Sequence, residues 1–287
     1  MGKEKAAGLM TRITVAHSPD SDDAFMFYAL ATNKLDTGGI EFTHVLRDIQ
    51  TLNEAAREGV YDVTALSIHG YAYVTDRYQL LTSGASMGEG YGPMVVARQP
   101  LAPEDLSRRQ VAVPGLQTSA YLALKLFSPT AHTITMPFDQ ILGAVREGQV
   151  EAGLLIHEGQ LTYAREGLHE VVNLAQWWTT LTGLPLPLGG NGIRREMEPA
   201  LKKQVARLLR ESIQYALDHR KEALAHAMQY ARDLPTALAD EFVGMYVNDR
   251  TLDYGAAGRE AVQRFLKMGY EKGFLSSPPN VEFVDES

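Results

Sequence analysis

The hydrophobic and polar positions of the chain follow one pattern twice, about ninety residues apart. Residues 48–66 read DIQTLNEAAREGVYDVTAL, and residues 139–155 read DQILGAVREGQVEAGLL. Each stretch has apolar residues at helical spacing, reaches Arg-Glu-Gly, and then enters an apolar run typical of a buried strand. The pattern predicts two helix–turn–strand units and therefore two α/β lobes of the same kind.

Both predicted strands end at polar residues. The first copy continues as SIHG over residues 67–70, and the second as HEG over residues 157–159. Ligands of open α/β sheets bind beyond the carboxyl ends of the strands. If the two lobes face each other, Ser67 and His157 both reach the cleft between them.

Each lobe is also predicted to start with a strand that turns into a helix. Strand 12–16 leads through residues 17–23 into a helix over 24–33, and strand 110–113 leads through residues 114–119 into a helix that ends near Phe127. Further strands are predicted at 40–46, 78–83, 94–98, 133–136 and 171–174, and helices throughout 198–273. The glycine-rich residues 84–92 are predicted to form a loop.

Two proline-rich stretches predict where the chain passes between the lobes. Residues 99–103 read QPLAP, and residues 184–192 read LPLPLGGNG. We assign residues 10–99 and 189–287 to lobe 1 and residues 100–188 to lobe 2, with the ligand cleft between them. Two hinge crossovers permit closure on a ligand. Residues 1–9 are expected to be an unstructured tail.

The amino-acid composition excludes several classes of function for this protein. The 287 residues carry a net charge of −8, which argues against a nucleic-acid partner, because phosphate contact needs clustered Lys and Arg. The absence of cysteine excludes disulfides, zinc thiolate sites and a thiol nucleophile. No run of 18 apolar residues predicts a membrane span, and the apolar residues 6–10 are too few for a signal peptide. We expect a cytoplasmic protein that does not bind membranes.

His157 is the first candidate for chemistry. At the end of a strand it can act as a general base, because the pKa of histidine lies near working pH. The alternative is a structural histidine hydrogen-bonded at the edge of a lobe. Glu158 can orient the ring or be solvated, and we favour the solvated interpretation.

Hydroxyl residues lie at two further strand ends. Thr118 and Ser119 stand where a strand turns into a helix, a position at which N–H groups and hydroxyls bind carboxylates or phosphates. Ordinary N-capping is the alternative and is compatible with ligand binding. Ser67 has the equivalent position in the first lobe, where a simple helix cap is the favoured interpretation.

Two other groups of residues are open to more than one interpretation. Residues 17–23, HSPDSDD, hold three carboxylates in four residues, but they lack the glycine and distal glutamate of a calcium loop. We favour a cleft-lining turn in which Asp20 or Ser21 caps the next helix. Trp177 and Trp178 can stack on an aromatic ligand, although packing is the favoured role.

Taken together, these segments resemble the 1,4-dihydroxy-6-naphthoate synthase family of the futalosine route to menaquinone. Residues 17–30, HSPDSDDAFMFYAL, are similar to the family's N-terminal motif. The other matching segments are residues 48–53, 92–98, 113–121, 153–158 and 183–189, so the resemblance covers nearly the whole chain from Arg12. It implies a two-lobed α/β fold like that of type 2 periplasmic binding proteins.

The resemblance also implies a reaction and a site. The family cleaves a carbon–carbon bond of cyclic dehypoxanthine futalosine, a small anionic substrate with aromatic and sugar parts, and needs no metal or organic cofactor. Its proton-accepting histidine falls on His157, and its substrate-contacting segments fall on Ala65-Leu66-Ser67 and Thr118-Ser119. Many members have Cys-Pro-Asn-Asp in the first loop, where this chain has Pro-Asp-Ser-Asp-Asp over residues 19–23.

Three other functions remain as alternatives. A small-anion solute-binding protein shares the fold class but normally carries an export signal. The sister enzyme of the pathway, chorismate dehydratase, is similar in fold, although residues 155–158, LIHE, favour the cleavage enzyme. The effector domain of a transcription regulator would need a basic helix-turn-helix before residue 12. A monomer and a homodimer are both left open.

Overall fold

A computed structural model describes residues 10–231 and 235–284, so the expected tail, residues 1–9, lies outside the described residues. The strands are β1 (Thr11–His17), β2 (Ile40–Leu46), β3 (Val63–Ser67), β4 (Tyr78–Leu80), β5 (Ser86–Gly88), β6 (Met94–Ala97), β7 (Gln110–Val113), β8 (His132–Thr135), β9 (Ala152–Leu155), β10 (His169–Asn173) and β11 (Leu186–Arg194). The helices are α1 (Ser21–Met26), α2 (Tyr28–Ala31), α3 (Ile49–Arg57), α4 (Ile68–Tyr71), α5 (Ser119–Phe127), α6 (Phe138–Glu147), α7 (Gly159–Thr162), α8 (Leu174–Thr182), α9 (Pro199–Asp218), α10 (Arg220–Ala227), α11 (Thr236–Tyr246), α12 (Asp249–Leu252) and α13 (Gly255–Glu271). Short 3₁₀ helices lie at Pro103–Arg108, Tyr163–Glu166 and Met228–Tyr230.

The strands form two sheets of the same design. The first has the order β2-β1-β3-β11-β4, with β5 also paired to β11. The second has the order β8-β7-β9-β6-β10. In each sheet three parallel strands are followed by an antiparallel one, β11 beside β3 and β6 beside β9. The expected α/β class is confirmed.

The two predicted helix–turn–strand units are α3 with β3 and α6 with β9. The chain leaves each helix at a glycine with positive φ, 63° at Gly59 and 75° at Gly148. A Cβ atom at either glycine would lie 2.7 Å from an arginine nitrogen, of Arg194 in the first unit and of Arg98 in the second. Both helices therefore end at positions that favour glycine for conformation and for space.

Residues 184–192 were predicted to hold the second crossover between the lobes, and the chain does return to the first sheet here, at Leu186. The strand that occupies most of the stretch was not predicted. Most of the stretch belongs to β11, which pairs with β3, β4 and β5. Its glycines let neighbouring side chains approach the backbone, with the Tyr254 hydroxyl against Gly190 and Leu66 against Gly192. The register shifts between Pro187 and Gly189, which accommodates a residue without an N–H group. Pro and Gly here mark a closely packed strand and not a break.

The sheets also divide the chain differently from the expected lobes. Strand Met94–Ala97 belongs to the second sheet, whereas the sequence-based division placed residues 10–99 in lobe 1. The chain therefore passes to the second sheet before Met94 and returns with Leu186. The cause is that β6 pairs antiparallel with β9, a long-range contact that local composition does not encode.

Some local features agree with the sequence-based predictions and others differ from them. The helix predicted over 24–33 is divided at Phe27, whose φ of −92° and ψ of 5° interrupt it. Strand β5 lies within the predicted glycine-rich loop. Trp178 is fully buried, and its indole N–H donates to the carbonyl of Pro185 at 3.0 Å, so the packing interpretation is confirmed for this residue. In the described part of the chain, no helix has the length and apolar character to span a membrane.

Candidate active site

A cleft with about 800 Å³ of empty space lies at the carboxyl ends of the parallel strands of both sheets. Elements of both sheets contribute to its walls. The residues that the sequence singled out for the site all line it: Ala65, Leu66, Ser67, Thr118, Ser119 and His157.

His157 is held by a carboxylate from the other sheet's side of the cleft. Its Nδ1 lies 3.2 Å from Oδ2 of Asp20, which follows β1 and is 1% exposed. The ring follows β9 and keeps 17% of its surface exposed. Because a carboxylate only accepts hydrogen bonds, the contact orients Nδ1–H of the ring toward Asp20. The ring of His157 is thus held in the wall of the cleft by a carboxylate.

Asp20 was expected to cap α1, or to leave that role to Ser21, and the structure corrects this expectation. Asp20 occupies the N-cap position, but no side-chain hydrogen bond caps the helix. Its carboxylate instead contacts His157. The signal in the sequence was an acidic residue directly after a strand end, but only the fold shows which residue it meets.

The backbone of His157 is strained. Its φ of 62° lies in the left-handed region, which is costly for a residue with a Cβ atom. The ring of Phe138, at the start of α6, packs against the imidazole edge to face with 4.6 Å between ring centroids. Strained conformations of this kind persist where surrounding contacts determine them, and they concentrate at functional sites.

The hydroxyls of Thr118 and Ser119 form hydrogen bonds within the protein. Thr118 Oγ1 accepts from the N–H of Tyr121 at 3.1 Å, so the capping interpretation is confirmed, and it donates to the carbonyl of Gly115 at 2.9 Å. Ser119 Oγ donates to the carbonyl of Leu188 at 2.5 Å. The other N–H groups of the first turn belong to Ser119 and Ala120, which line the cleft and have no acceptor within the helix.

Ser67 does not cap α4, so the favoured interpretation of this residue is wrong. No side-chain hydrogen bond caps the helix that it precedes. Its partner is Asn53, a fully buried residue of α3 whose Nδ2 donates to Ser67 Oγ at 3.0 Å. The N–H of Ser67 donates back to Oδ1 of Asn53 at 2.9 Å. Ser67 Oγ accepts that bond and keeps its own proton to donate.

Carboxyl groups crowd one end of the cleft. Glu158 is 8% exposed, so the solvated interpretation of this residue is wrong. Burial raises the pKa of Asp23 to about 6, although hydrogen bonds from the N–H and hydroxyl of Ser18, at 2.7 and 2.8 Å, act to lower it. Burial, followed by the charges of Asp23, Asp20 and Glu158, raises the pKa of Asp22 well above its usual range.

The C-terminal helices contribute residues that the sequence did not single out. Phe242 and Tyr246 of α11 line the cleft, and the Tyr246 hydroxyl is hydrogen-bonded to the Gln160 side-chain amide at 2.9 Å. Burial raises the pKa of Tyr246, which keeps it a neutral phenol. No motif marked these residues, because helix α11 reaches the cleft only through tertiary packing.

Comparison with known proteins places the chain among enzymes of quinone biosynthesis. The sequence model of the family described as menaquinone biosynthesis matches residues 13–271. A protein of Thermus thermophilus named 1,4-dihydroxy-6-naphthoate synthase is 40% identical, and the alignment covers 96% of this chain and 100% of the relative. A protein of Streptomyces coelicolor with the same name is 35% identical over 92% of this chain and 94% of its own length.

Solved structures show the same fold. A crystal structure of a protein from Archaeoglobus fulgidus superposes with a TM-score of 0.89 at 45% identity, covering 92% of this chain and 98% of the other. The alkanesulfonate-binding protein of Xanthomonas axonopodis superposes with a TM-score of 0.72 at 13% identity, over 96% of this chain and 98% of the other. The expected fold of a periplasmic-binding-protein type is therefore confirmed.

Proposed function

The chain belongs to the menaquinone biosynthesis family, and from this premise we propose that it is a lyase converting cyclic dehypoxanthine futalosine to 1,4-dihydroxy-6-naphthoate. The two named relatives support the product. The observation that carries the chemistry is the pair formed by His157 and Asp20 in the cleft, with a nitrogen lone pair left for the substrate. The reaction is a carbon–carbon cleavage in which no hydrolysis takes place.

His157 is the base of the proposed reaction. Its Nε2 removes a proton from the substrate, and the electron pair left behind forms a new π bond as a ring-to-fragment carbon–carbon bond breaks. The electrons of the broken bond stay with the departing sugar-derived fragment, which takes up a proton. Aromatisation of the naphthalene ring favours the products. Asp20 holds the imidazole in the required tautomer and stabilises the imidazolium that forms.

The substrate's anionic end is assigned to the N-terminus of α5. The free N–H groups there favour a carboxylate, and the helix dipole adds to the attraction. Thr118 and Ser119 fix that helix end through their own hydrogen bonds, so their role is mainly to position the donors. Ser67 can donate its hydroxyl proton from the opposite wall. Ala65 and Leu66 shape the surface beside it.

The strongest alternative is a solute-binding protein, because the fold is shared with sulfonate-binding proteins. Such a protein needs donors for its ligand but no oriented base. A buried carboxylate aimed at a strained histidine in the cleft favours the enzyme. Chorismate dehydratase, the sister enzyme, differs from the proposed function in substrate and reaction, and the names of the two relatives favour the cleavage enzyme.

The test is turnover of cyclic dehypoxanthine futalosine by purified protein, followed by mass spectrometry of the product. We expect dihydroxynaphthoate from wild type, a kcat about 10²–10⁴-fold lower for His157→Ala, and a loss of about 10–100-fold for Asp20→Asn. His169→Ala, at an exposed histidine of β10, is the matched control and should keep full activity.

Each other outcome has a definite meaning. Full activity of His157→Ala would remove the base but keep the lyase. No product from wild type, together with tight binding of a small anion, would favour the solute-binding protein. Conversion of chorismate instead would identify the sister enzyme.

A further inference from the structure

A carboxyl oxygen in the wall of the cleft has no hydrogen-bond partner among the described residues, although its carboxyl group also interacts with its own backbone N–H. Asp22, in the first turn of α1, lines the same cleft as His157, and its buried Oδ1 has no hydrogen-bond partner among the described residues. The other two aspartates of this segment have partners. Asp20 contacts His157, and Asp23 accepts hydrogen bonds from the N–H and hydroxyl of Ser18. A buried carboxyl oxygen without a partner is costly unless a ligand contacts it.

The proposed cleavage requires a second proton-transfer group. The base takes one proton from the substrate, while the departing fragment keeps the electron pair of the broken bond and must gain one. A protonated carboxyl group in the cleft is a suitable donor for that step. The donor must lie in the cleft with the base but must not be the group that orients it.

We propose that Asp22 is the general acid that protonates the departing fragment in the proposed reaction. The inference rests on the proposed function and names the residue that completes it. The assignment follows from the position of Asp22 in the cleft wall, the unpartnered oxygen, and the engagement of Asp20 and Asp23 elsewhere.

The surroundings of Asp22 keep it protonated. The ionisable groups that act on it most strongly are the acids Asp23 and Asp20 on its own segment and Glu158 from across the cleft. Tyr246 faces it from α11 and is a neutral phenol. Burial and these acidic neighbours raise the pKa of Asp22. A carboxyl group whose environment favours its protonated form is suited to donate a proton in acid–base catalysis.

The proton balance closes over one turnover. His157 gains a proton from the substrate, and Asp22 loses one to the departing fragment. One carbon–carbon bond and the substrate's bond to the abstracted proton break, while one π bond and one bond from the fragment to hydrogen form. No oxidant or reductant is needed. After product release, the imidazolium and the carboxylate return to their starting states by exchanging a proton through solvent.

The test compares Asp22→Asn with wild type in turnover of cyclic dehypoxanthine futalosine across pH. Asparagine has nearly the same shape but cannot transfer a proton. We expect kcat to fall about 10²–10⁴-fold with KM changed only a few-fold. The decline of the wild-type rate at high pH, caused by ionisation of the acid, should disappear in this variant.

Two further variants make the result specific. Asp22→Glu keeps a carboxylic acid with a longer reach and should retain part of the activity together with the high-pH decline. Asp76→Asn changes an exposed aspartate outside the cleft and should behave like wild type. Thermal unfolding of each variant verifies that it is folded. If Asp22→Asn does not fold, the test uses Asp22→Glu and its high-pH decline alone.

The outcomes separate the two proposals. If wild type makes no dihydroxynaphthoate, the proposed function fails. If wild type is active and Asp22→Asn is equally active, the lyase stands and the role of Asp22 is wrong. If Asp22→Asn is slow but keeps the high-pH decline, or if Asp22→Glu lacks it, Asp22 only positions the substrate and the proposal is again overturned.

Discussion

The units Ile49–Ser67 and Phe138–His157 have the same design as far as the end of their strands. In each, a helix ends at a glycine with positive φ beside an arginine, and a fully buried strand follows. Beyond the strands they diverge. Ser67 has an ordinary extended backbone with φ −62°, whereas His157 has φ +62°.

The difference begins one helix earlier in each unit. Asn53 of α3 bonds to both the N–H and the hydroxyl of Ser67, and it locks that strand end inside its own lobe. The corresponding position of α6 is the apolar Leu142. The end of β9 instead finds its polar partner in Asp20, which follows a strand of the other sheet. Two copies of one unit thus end differently: Ser67 is held within its own lobe, and His157 is held by a residue from across the cleft.

Removing the hydrogen bonds between Asn53 and Ser67 should have the largest effect on stability. Asn53→Ala leaves the N–H and hydroxyl of buried Ser67 without their partner, and we expect the free energy of unfolding to fall by about 2–3 kcal/mol. Urea unfolding measures the change. Glu54→Ala, an exposed neighbour on the same helix, is the control and should change stability by less than about 0.5 kcal/mol. Equal effects of the two variants would show that the Asn53 bonds do not stabilise the fold.

Substituting the shared glycines tests whether the two units are equivalent. Gly59→Ala and Gly148→Ala each place a Cβ atom at positive φ and against an arginine, so each should cost about 1–2 kcal/mol. Gly143→Ala, inside α6 with open space around it, should instead stabilise by up to about 1 kcal/mol. Thermal unfolding of the three variants decides this, and a cost at only one of Gly59 and Gly148 would break the equivalence.

The two strand ends should respond to glycine with opposite signs. At His157 the left-handed backbone makes the glycine variant more stable than the alanine variant, by about 1 kcal/mol. At Ser67 the extended backbone suits alanine, so Ser67→Gly should be less stable than Ser67→Ala by about 0.5–1 kcal/mol. Comparing glycine with alanine at each position cancels the lost side-chain contacts. The same sign at both positions would mean that the strain at His157 is relieved in solution.

The smallest expected effect concerns the ends of the first strands. His17 of β1 is hydrogen-bonded to His44 of β2, Nε2 to Nδ1 at 3.1 Å, while β7 ends at Val113 beside Thr135. Burial lowers the pKa of His17 from 6.5 to about 4 and that of His44 likewise. Below pH 6.5 both histidines become protonated in the unfolded chain but stay neutral in the folded protein. The free energy of unfolding therefore falls as the pH drops toward 4.

A second group opposes this trend and makes the net slope shallow. The pKa of Asp23 is raised from 3.8 to about 6, so the folded protein binds its proton first and gains stability as the pH falls through 6. We therefore expect His44→Gln to flatten the decline between pH 6.5 and 4, and Asp23→Asn to steepen it. Urea unfolding at a series of pH values measures both slopes. If both variants have the wild-type slope, these groups do not set the acid stability of the first lobe.

Part of the fold and of the site was accessible from periodicity and turn residues. The pattern predicted both helix–turn–strand units, and the strand–helix turns at Asp20 and Thr118, because side-chain spacing reflects burial on one face. It failed at β11, where Gly190 and Gly192 are required by neighbouring side chains and look like loop residues when read locally. It also failed at β6, whose sheet is decided by its pairing with β9.

The sequence by itself determined the two α/β units, the polar residues at their strand ends and the resemblance that pointed to His157, because these depend on local patterns and motifs. Tertiary structure alone decided that Asp20 meets His157, that Asn53 holds Ser67, and that α11 brings Tyr246 to the cleft. The physical reason is that the first and third of these contacts join segments that are distant along the chain, while the second depends on how α3 packs against β3. Their geometry depends on how both sheets pack, and no local pattern of hydrophobic and polar residues specifies that packing.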